Sequence, residues 1–231
     1  QEISLRIATV IGARPQFIKA ALLSQKLNSQ SLFSQIMIHT GQHYETNMSE
    51  IFFDEMQIPP ADYKLNINKM NYRKMIKKMV CKLNPILRDE KIKGVIVFGD
   101  TNSTLAASLS ASANKIPIFH VEAGLRSFNR SMIEENNRII TDHLSSLLFC
   151  PTLTAVKNLS NEKIFDGVML SGDIMYDIYL KYGSNTTDSP SYKSKNSILL
   201  TIHRRENIES KEKLVSIFKT LDLINKQQKI I

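Results

Sequence analysis

The sequence predicts an α/β protein built on a parallel sheet, and three observations carry that expectation. Apolar runs at Leu5–Ile11, Phe33–His39 and Val95–Phe98 each stop abruptly in a polar, glycine-containing cluster. Those clusters are Gly12-Ala13-Arg14-Pro15, Thr40-Gly41-Gln42-His43 and Gly99-Asp100-Thr101-Asn102. Segments of helical periodicity separate the runs, so strands alternate with helices, the pattern of parallel strand–helix–strand units. Open sheets of that kind bind ligands beyond the carboxyl ends of their strands.

The first run, Leu5–Ile11, reads as a buried strand, and a helical pattern follows from Gln16 to about Leu27. Pro15 fits the first turn of that helix, where a missing N–H costs nothing. Arg14 and Lys19 stand beside a helix N-terminus that already favours anions through its free N–H groups and dipole. Cations there suit an external anion such as phosphate. Phe33–His39 is the second strand, and a helix is expected to begin near Asn47 and end at Pro59-Pro60. Asp62 to Met70 reads as a connection.

An amphipathic helix is expected from about Asn71 to Asp89, with a bend at Pro85. Its apolar face carries Met75, Ile76, Met79, Val80 and Leu83. Arg73, Lys74, Lys77, Lys78 and Lys82 form the outer face. The net charge of +8 concentrates there. Without aromatic interleaving or a nucleic-acid motif, a solvated face is the plain reading, and no nucleic-acid partner is expected.

Val95–Phe98 is a buried strand, Thr104–Ala113 a helix, and Ile116–Phe119 the next strand. Polar clusters then follow both strands, the second being His120-Val121-Glu122-Ala123-Gly124-Leu125-Arg126. Asp100 and Glu122 therefore arrive at one rim of one sheet, where the core has no need of them. Ser127–Ile133 is a polar loop. A helix is expected from Glu134, with Glu134 and Arg138 four residues apart on one face. Leu147–Cys150 and Val168–Ser171 are short strands, each followed by a helix, the second running through Tyr182.

Gly183–Ser197 lacks apolar periodicity and reads as a linker. A further strand at Ser197–Ile202 ends in His203-Arg204-Arg205-Glu206-Asn207, and a helix with Leu214, Ile217, Phe218, Leu221 and Ile224 follows. Another strand begins at Ile230-Ile231. One strand and one helix cannot bury a core of their own. The expected organisation is thus a complete first domain over 1–170, with 171–231 holding a linker and the start of a second.

Apolar residues make up 42% of the 231 residues, which is ordinary for a folded domain. No apolar run is long enough to span a bilayer, so no membrane partner is expected. The first residues do not form a signal peptide, and Gln1 is not an initiator methionine, so a start slightly upstream is expected. The two cysteines, Cys81 and Cys150, lack metal-ligand spacing, and a reduced cytoplasmic protein follows. His39, His43 and His120 also lack zinc-type spacing, so no metal is expected. Neither a Gly-x-Gly-x-x-Gly fingerprint nor a Gly-x-x-x-x-Gly-Lys-Ser/Thr phosphate loop is present. What the strand ends do collect are cations suited to a diphosphate and carboxylates suited to hydroxyl recognition or proton transfer.

Ile11-Gly-Ala-Arg-Pro-Gln-Phe-Ile-Lys19, Thr40-Gly-Gln-His43, Gly99-Asp-Thr-Asn-Ser-Thr-Leu105, His120-Val-Glu-Ala-Gly-Leu-Arg126, Glu134-Glu-Asn-Asn-Arg138 and His203-Arg-Arg-Glu-Asn207 occur in that order. Together they resemble the non-hydrolysing UDP-N-acetylglucosamine 2-epimerases. The Ala-Arg-Pro-Gln-Phe and His-Tyr wording also resembles the subgroup acting on UDP-diacetamido-hexuronic acids. Two departures stand out. The first is that Ile133 and Asn136 stand where the family has a proline before and an apolar residue after the paired glutamates, with Asn66-Ile67-Asn68-Lys69 in place of a glycine-containing stretch; the second is that the family's later motifs are absent from the sequence.

The resemblance implies two Rossmann-like domains of GT-B type, the second only begun in this chain, with a UDP-sugar between them. It implies an isomerase that inverts C2 by anti elimination of UDP to 2-acetamidoglucal and re-addition, without NAD, metal or other cofactor. It further implies a homodimer in bacterial surface polysaccharide and lipopolysaccharide synthesis. Asp100, Glu122, Glu134 and His203 become the expected catalytic residues, with Arg138 supporting Glu134. Arg14, Lys19, His43, Asp100, Glu122, Arg138 and His203 become the expected substrate contacts. Two other outcomes stay open: a UDP-2,3-diacetamido-glucuronic acid 2-epimerase, or a truncated, non-catalytic remnant.

Overall fold

The computed structural model describes residues 4–42, 59–183, 197–202 and 205–230. They fall into two compact units, 1–184 and 185–231. In the first, β1 (Leu5–Ile11), β2 (Phe33–His39), β3 (Tyr63–Lys64), β4 (Gly94–Phe98), β5 (Ile118–Val121), β6 (Leu147–Cys150) and β7 (Val168–Leu170) form one sheet. Their order is β3-β2-β1-β4-β5-β6-β7, and every neighbouring pair is parallel. The expected α/β class with a parallel sheet is the one observed. The chain works outward from β1 to β3, crosses back to β4, and then works outward the other way. The crevice beyond the carboxyl ends of β1 and β4 is therefore a topological switch point.

Helices α1 (Arg14–Asn28), α2 (Tyr72–Asp89), α3 (Asn102–Ala113), α4 (Ile133–Leu144), α5 (Leu153–Asn161) and α6 (Ile174–Tyr182) make the connections. The strand period of two sorts the core into layers. Ala8 and Val10 of β1, with Val95 and Val97 of β4, pack in one layer with α2 and α3. Ile7 and Ile11, with Ile96 and Phe98, pack in the other with Phe17, Ala20 and Ala21 of α1. Helix α2 buries Met75, Met79, Leu83 and Leu87 at four-residue spacing. Each such side chain contributes about 1.5–3 kcal/mol on leaving water. Arg73, Lys74, Lys77, Lys78 and Lys82 are exposed, so the basic stripe is a solvated face.

Helix α2 runs through Pro85 over the expected span. Three expectations change. The connection 62–70 contributes an edge strand, Tyr63–Lys64, too short to show a period. Strand β5 begins at Ile118 and ends at Val121, so His120 lies inside the sheet, and Glu122 is the first rim residue. Helix α6, placed by sequence beyond residue 170, belongs to the first unit. It buries Ile178, and Gln25 Nε2 of α1 donates to Tyr182 Oη at 3.2 Å.

In the second unit β8 (Ser197–Ile198) pairs in parallel with β9 (Lys229–Ile230), beside α7 (Arg205–Ile208) and α8 (Lys211–Asn225). Ser210 caps α8, accepting from Lys213 N at 3.3 Å. The strand expected over 197–202 is two residues long. Helix α8 buries none of its residues. The helix expected near Asn47 and most of the expected linker lie outside the described residues. No described helix is long and apolar enough to cross a membrane.

Candidate active site

Beyond β1, the chain turns through Gly12 into α1. A Cβ at Gly12 would lie 2.1 Å from both Ser103 Oγ and Thr40 Oγ1, so only glycine lets three strand ends converge. Thr40 and Ser103 are themselves hydrogen-bonded at 2.7 Å. Gln16 locks the turn. Its Oε1 accepts from Gly12 N at 2.9 Å and Ala13 N at 3.1 Å, and its Nε2 donates to the Phe98 carbonyl at 2.8 Å. A glutamate there would have no donor for that carbonyl. Arg14 opens α1 on the exposed side, and the first turn holds no acidic residue. Lys19, one turn further, reaches across to Glu122 and forms an ion pair with its Oε2.

Glu122 follows β5 with φ +68°, a left-handed backbone that costs a non-glycine residue about 1–2 kcal/mol. Its carboxylate leans over the neighbouring turn: Oε2 lies 3.5 Å from where a Cβ on Gly99 would be. Asp100 continues that turn and binds Arg138 of α4. The backbone of Asp100 is fixed too. Its carbonyl accepts from Asn137 Nδ2 at 2.9 Å, and Asn137 Oδ1 accepts from Tyr72 Oη at 2.9 Å. Helix α3 starts directly beyond, capped by Thr101, whose Oγ1 accepts from Thr104 N at 3.2 Å.

Helix α4 overturns one expectation. Arg138 does not pair with Glu134; it bridges Asp100 and Glu135, the latter at 2.6 Å. Because α4 starts at Ile133, position 135 turns inward and is buried, whereas Glu134 is exposed. Glu135 also accepts from Ser127 N at 2.9 Å, Ser127 Oγ at 3.0 Å and Phe128 N at 2.9 Å. Burial opposes its ionisation, but the bonds from Ser127 and Phe128 and the charge of Arg138 outweigh it. The carboxyl is held below its ordinary range.

His120, expected at the rim, is a buried strand residue. Its Nδ1 donates to Asp142 Oδ1 at 2.6 Å, and its Nε2 lies 2.8 Å from the Gly99 carbonyl oxygen. Arg126 Nη1 donates to Asp142 Oδ2 at 2.7 Å, and its Nε and Nη2 donate to the two oxygens of Glu162. Burial disfavours the Asp142 carboxylate. The hydrogen bond and charge of His120 and those of Arg126 more than offset it, and the net shift is downward.

Arg14, Lys19, Asp100, Glu122 and Arg138 thus gather at the ends of β1, β4 and β5, with Glu134 on the exposed side of α4. His43 and His203 lie outside the described residues. Sequence reasoning missed Gln16, Glu135 and Asp142. Gln16 and Glu135 stand inside quoted motifs, but only the inward turn of their helices singles them out. Chemically, the rim offers two carboxylates on adjacent turns, each held by its own cation. That set is suited to binding a polar anion and moving a proton beside it.

A doubly wound parallel sheet with such a rim places the chain in the Rossmann-like α/β class. More narrowly, the chain belongs to the UDP-N-acetylglucosamine 2-epimerase family, whose model matches residues 25–231. It is 45% identical over 224 residues to the UDP-2,3-diacetamido-2,3-dideoxy-D-glucuronate 2-epimerase of Pseudomonas aeruginosa, covering 95% of this chain and 63% of that one. It is 46% identical over 234 residues to a UDP-N-acetylglucosamine 2-epimerase homolog of Methanococcus maripaludis, covering 98% and 64%. Among solved structures it resembles UDP-GlcNAc 2-epimerase of Methanocaldococcus jannaschii in complex with UDP-GlcNAc and UDP. That match has TM-score 0.87 and 38% identity over 96% of this chain and 63% of that one. The Neisseria meningitidis enzyme bound to UDP-GlcNAc matches with TM-score 0.85 and 32% identity, over the same shares. The chain therefore spans less than two thirds of the relatives it matches.

Proposed function

We propose that this chain carries the proton-transferring carboxylates of a non-hydrolysing UDP-N-acetylglucosamine 2-epimerase. The reaction interconverts UDP-GlcNAc and UDP-ManNAc. A base takes the C2 proton, the electron pair forms the C1–C2 double bond, and the C1–O bond to UDP breaks, leaving 2-acetamidoglucal. UDP then adds back at C1 while C2 is protonated on the opposite face. Asp100, Glu122 and Glu134 are the proton-transfer residues in this reading, and His203 is a further catalytic residue that contacts the nucleotide sugar. Arg14, Lys19, His43 and Arg138 join them around the sugar and diphosphate.

The observation that carries the proposal is Glu122, held in a left-handed backbone at the rim and paired with Lys19. Strain of this kind at a ligand-binding edge persists where function uses it. Cations at the same edge suit the expelled diphosphate. The finer parts of the reading are a homodimer, a cytoplasmic location and a role in bacterial surface polysaccharide, including lipopolysaccharide, synthesis. Support for the location is the pair of free cysteines.

One specific observation favours a second substrate. A relative at 45% identity is named for UDP-2,3-diacetamido-2,3-dideoxy-D-glucuronate. The test is to incubate the protein with each UDP-sugar separately and follow epimer formation by proton NMR. Conversion of UDP-GlcNAc alone supports the main reading; conversion of the uronate alone replaces it. Conversion of neither rejects both activities for this chain and leaves the truncated, non-catalytic remnant.

A further inference from the structure

We propose that Asp142 is a positioning residue for Glu122, acting through both flanks of the loop that carries it. The inference rests on the epimerase reading for its catalytic arm but not for its structural one. Asp142 is fully buried, so it cannot touch a ligand. Its carboxylate nevertheless gathers the whole loop. Oδ1 accepts from His120 Nδ1 at 2.6 Å, two residues before Glu122. Oδ2 accepts from Gly124 N at 3.1 Å and Arg126 Nη1 at 2.7 Å, two and four residues after it. The other ring nitrogen of the same histidine lies 2.8 Å from the carbonyl of Gly99, directly before Asp100. One carboxylate thus ties together the two turns that present Asp100 and Glu122.

Other bonds hold the loop as well: Gly99 N donates to the Val121 carbonyl at 3.0 Å before Glu122, Ala123 N to the Phe149 carbonyl at 3.0 Å after it, and Asn158 Nδ2 to the Gly124 carbonyl at 2.9 Å. Each acts on one side of Glu122, whereas Asp142 joins the two sides through one carboxylate. The left-handed φ of Glu122 needs restraint from both sides, and Asp142 supplies it. An asparagine at 142 keeps the shape but has one acceptor oxygen instead of two and carries no charge, so the bonds to one flank are weakened.

The test compares the protein with its Asp142→Asn variant by NMR without ligand. A positive φ brings a residue's own amide and Hα unusually close and gives a strong intraresidue cross-peak. The expected result is that Glu122 loses this signature in Asp142→Asn, while Lys91 and Lys115, left-handed in unrelated turns, keep theirs. C2 hydrogen exchange on the UDP-sugar should then fall about 100-fold, the scale of a misplacement of about 1 Å, with UDP affinity unchanged. A folded variant with Glu122 still left-handed and exchange intact overturns the proposal. If Asp142→Asn fails to fold, Arg126→Lys removes one of the two bonds from Asp142 to the later flank and decides by the same cross-peak: its weakening at Glu122 supports the proposal, its persistence at full strength refutes it. If the unaltered protein exchanges no C2 hydrogen, the epimerase reading fails, and the NMR comparison still decides the role of Asp142.

Discussion

Lys19 and Glu122 are bound to one another across the rim, ammonium to carboxylate, with side chains only 13% and 14% exposed. They lie 103 residues apart in sequence, on α1 and beyond β5. A ligand that draws Lys19 to a phosphate must leave Glu122 with one counter-charge fewer, so anion binding competes with this ion pair.

Lys19→Met should leave a largely buried carboxylate unpaired. The expected loss is about 2 kcal/mol, less than for a fully buried pair because some water reaches it. Adding Glu122→Gln should recover about half of it, which urea denaturation of the single and double variants will measure.

Arg138 spans two carboxylates, Asp100 and Glu135, which a lysine cannot do with a planar fork. Arg138→Lys should therefore destabilise by about 1–2 kcal/mol and weaken UDP-sugar binding, as thermal melting and calorimetric titration will register.

The carboxyl of Glu135 is held below its unfolded value of 4.5. Its ionised form is favoured in the fold, so its contribution is full above that value and is lost as pH falls through the lower, folded one. Glu135→Gln should lower stability near neutrality yet flatten its decline below about pH 4.5.

His39 behaves with the same sign for a different reason. Burial, then the charge of Lys64, lowers its pKa from 6.5 to about 4. The unfolded chain takes up a proton below 6.5 that the folded chain refuses until about 4. Stability should be greatest above that window and fall by about 3 kcal/mol as pH drops across it. Denaturation at several pH values, compared with His39→Gln, will isolate this contribution.

Gly12→Ala should drive a methyl into Thr40 and Ser103 and cost about 1–3 kcal/mol. Restoring space with Ser103→Gly should recover only part of it, since Thr40 still blocks the other side. Melting temperatures of the three proteins will give the order.

Much of this was legible in the sequence because buried parallel strands are short apolar runs with sharp polar ends. β1, β2, β4 and β6 were read within a residue for that reason. Asp100 and Glu122 were legible as carboxylates at such ends. His120 was not, because a histidine beside rim residues looks like one of them; only Asp142, 22 residues away, makes it a core residue. Glu134 and Glu135 look alike in sequence. The start of α4 at Ile133 turns one outward and the other in, and a shift of one residue would exchange them. Strand β3 has two residues and thus no period to detect.

The most direct measurement is to incubate the protein with UDP-GlcNAc in deuterated water and follow C2 by proton NMR, beside Glu122→Gln. The account predicts loss of the C2 proton signal with formation of UDP-ManNAc, both abolished in the variant. Full exchange in Glu122→Gln, or epimer formed with its original C2 hydrogen retained, would contradict it.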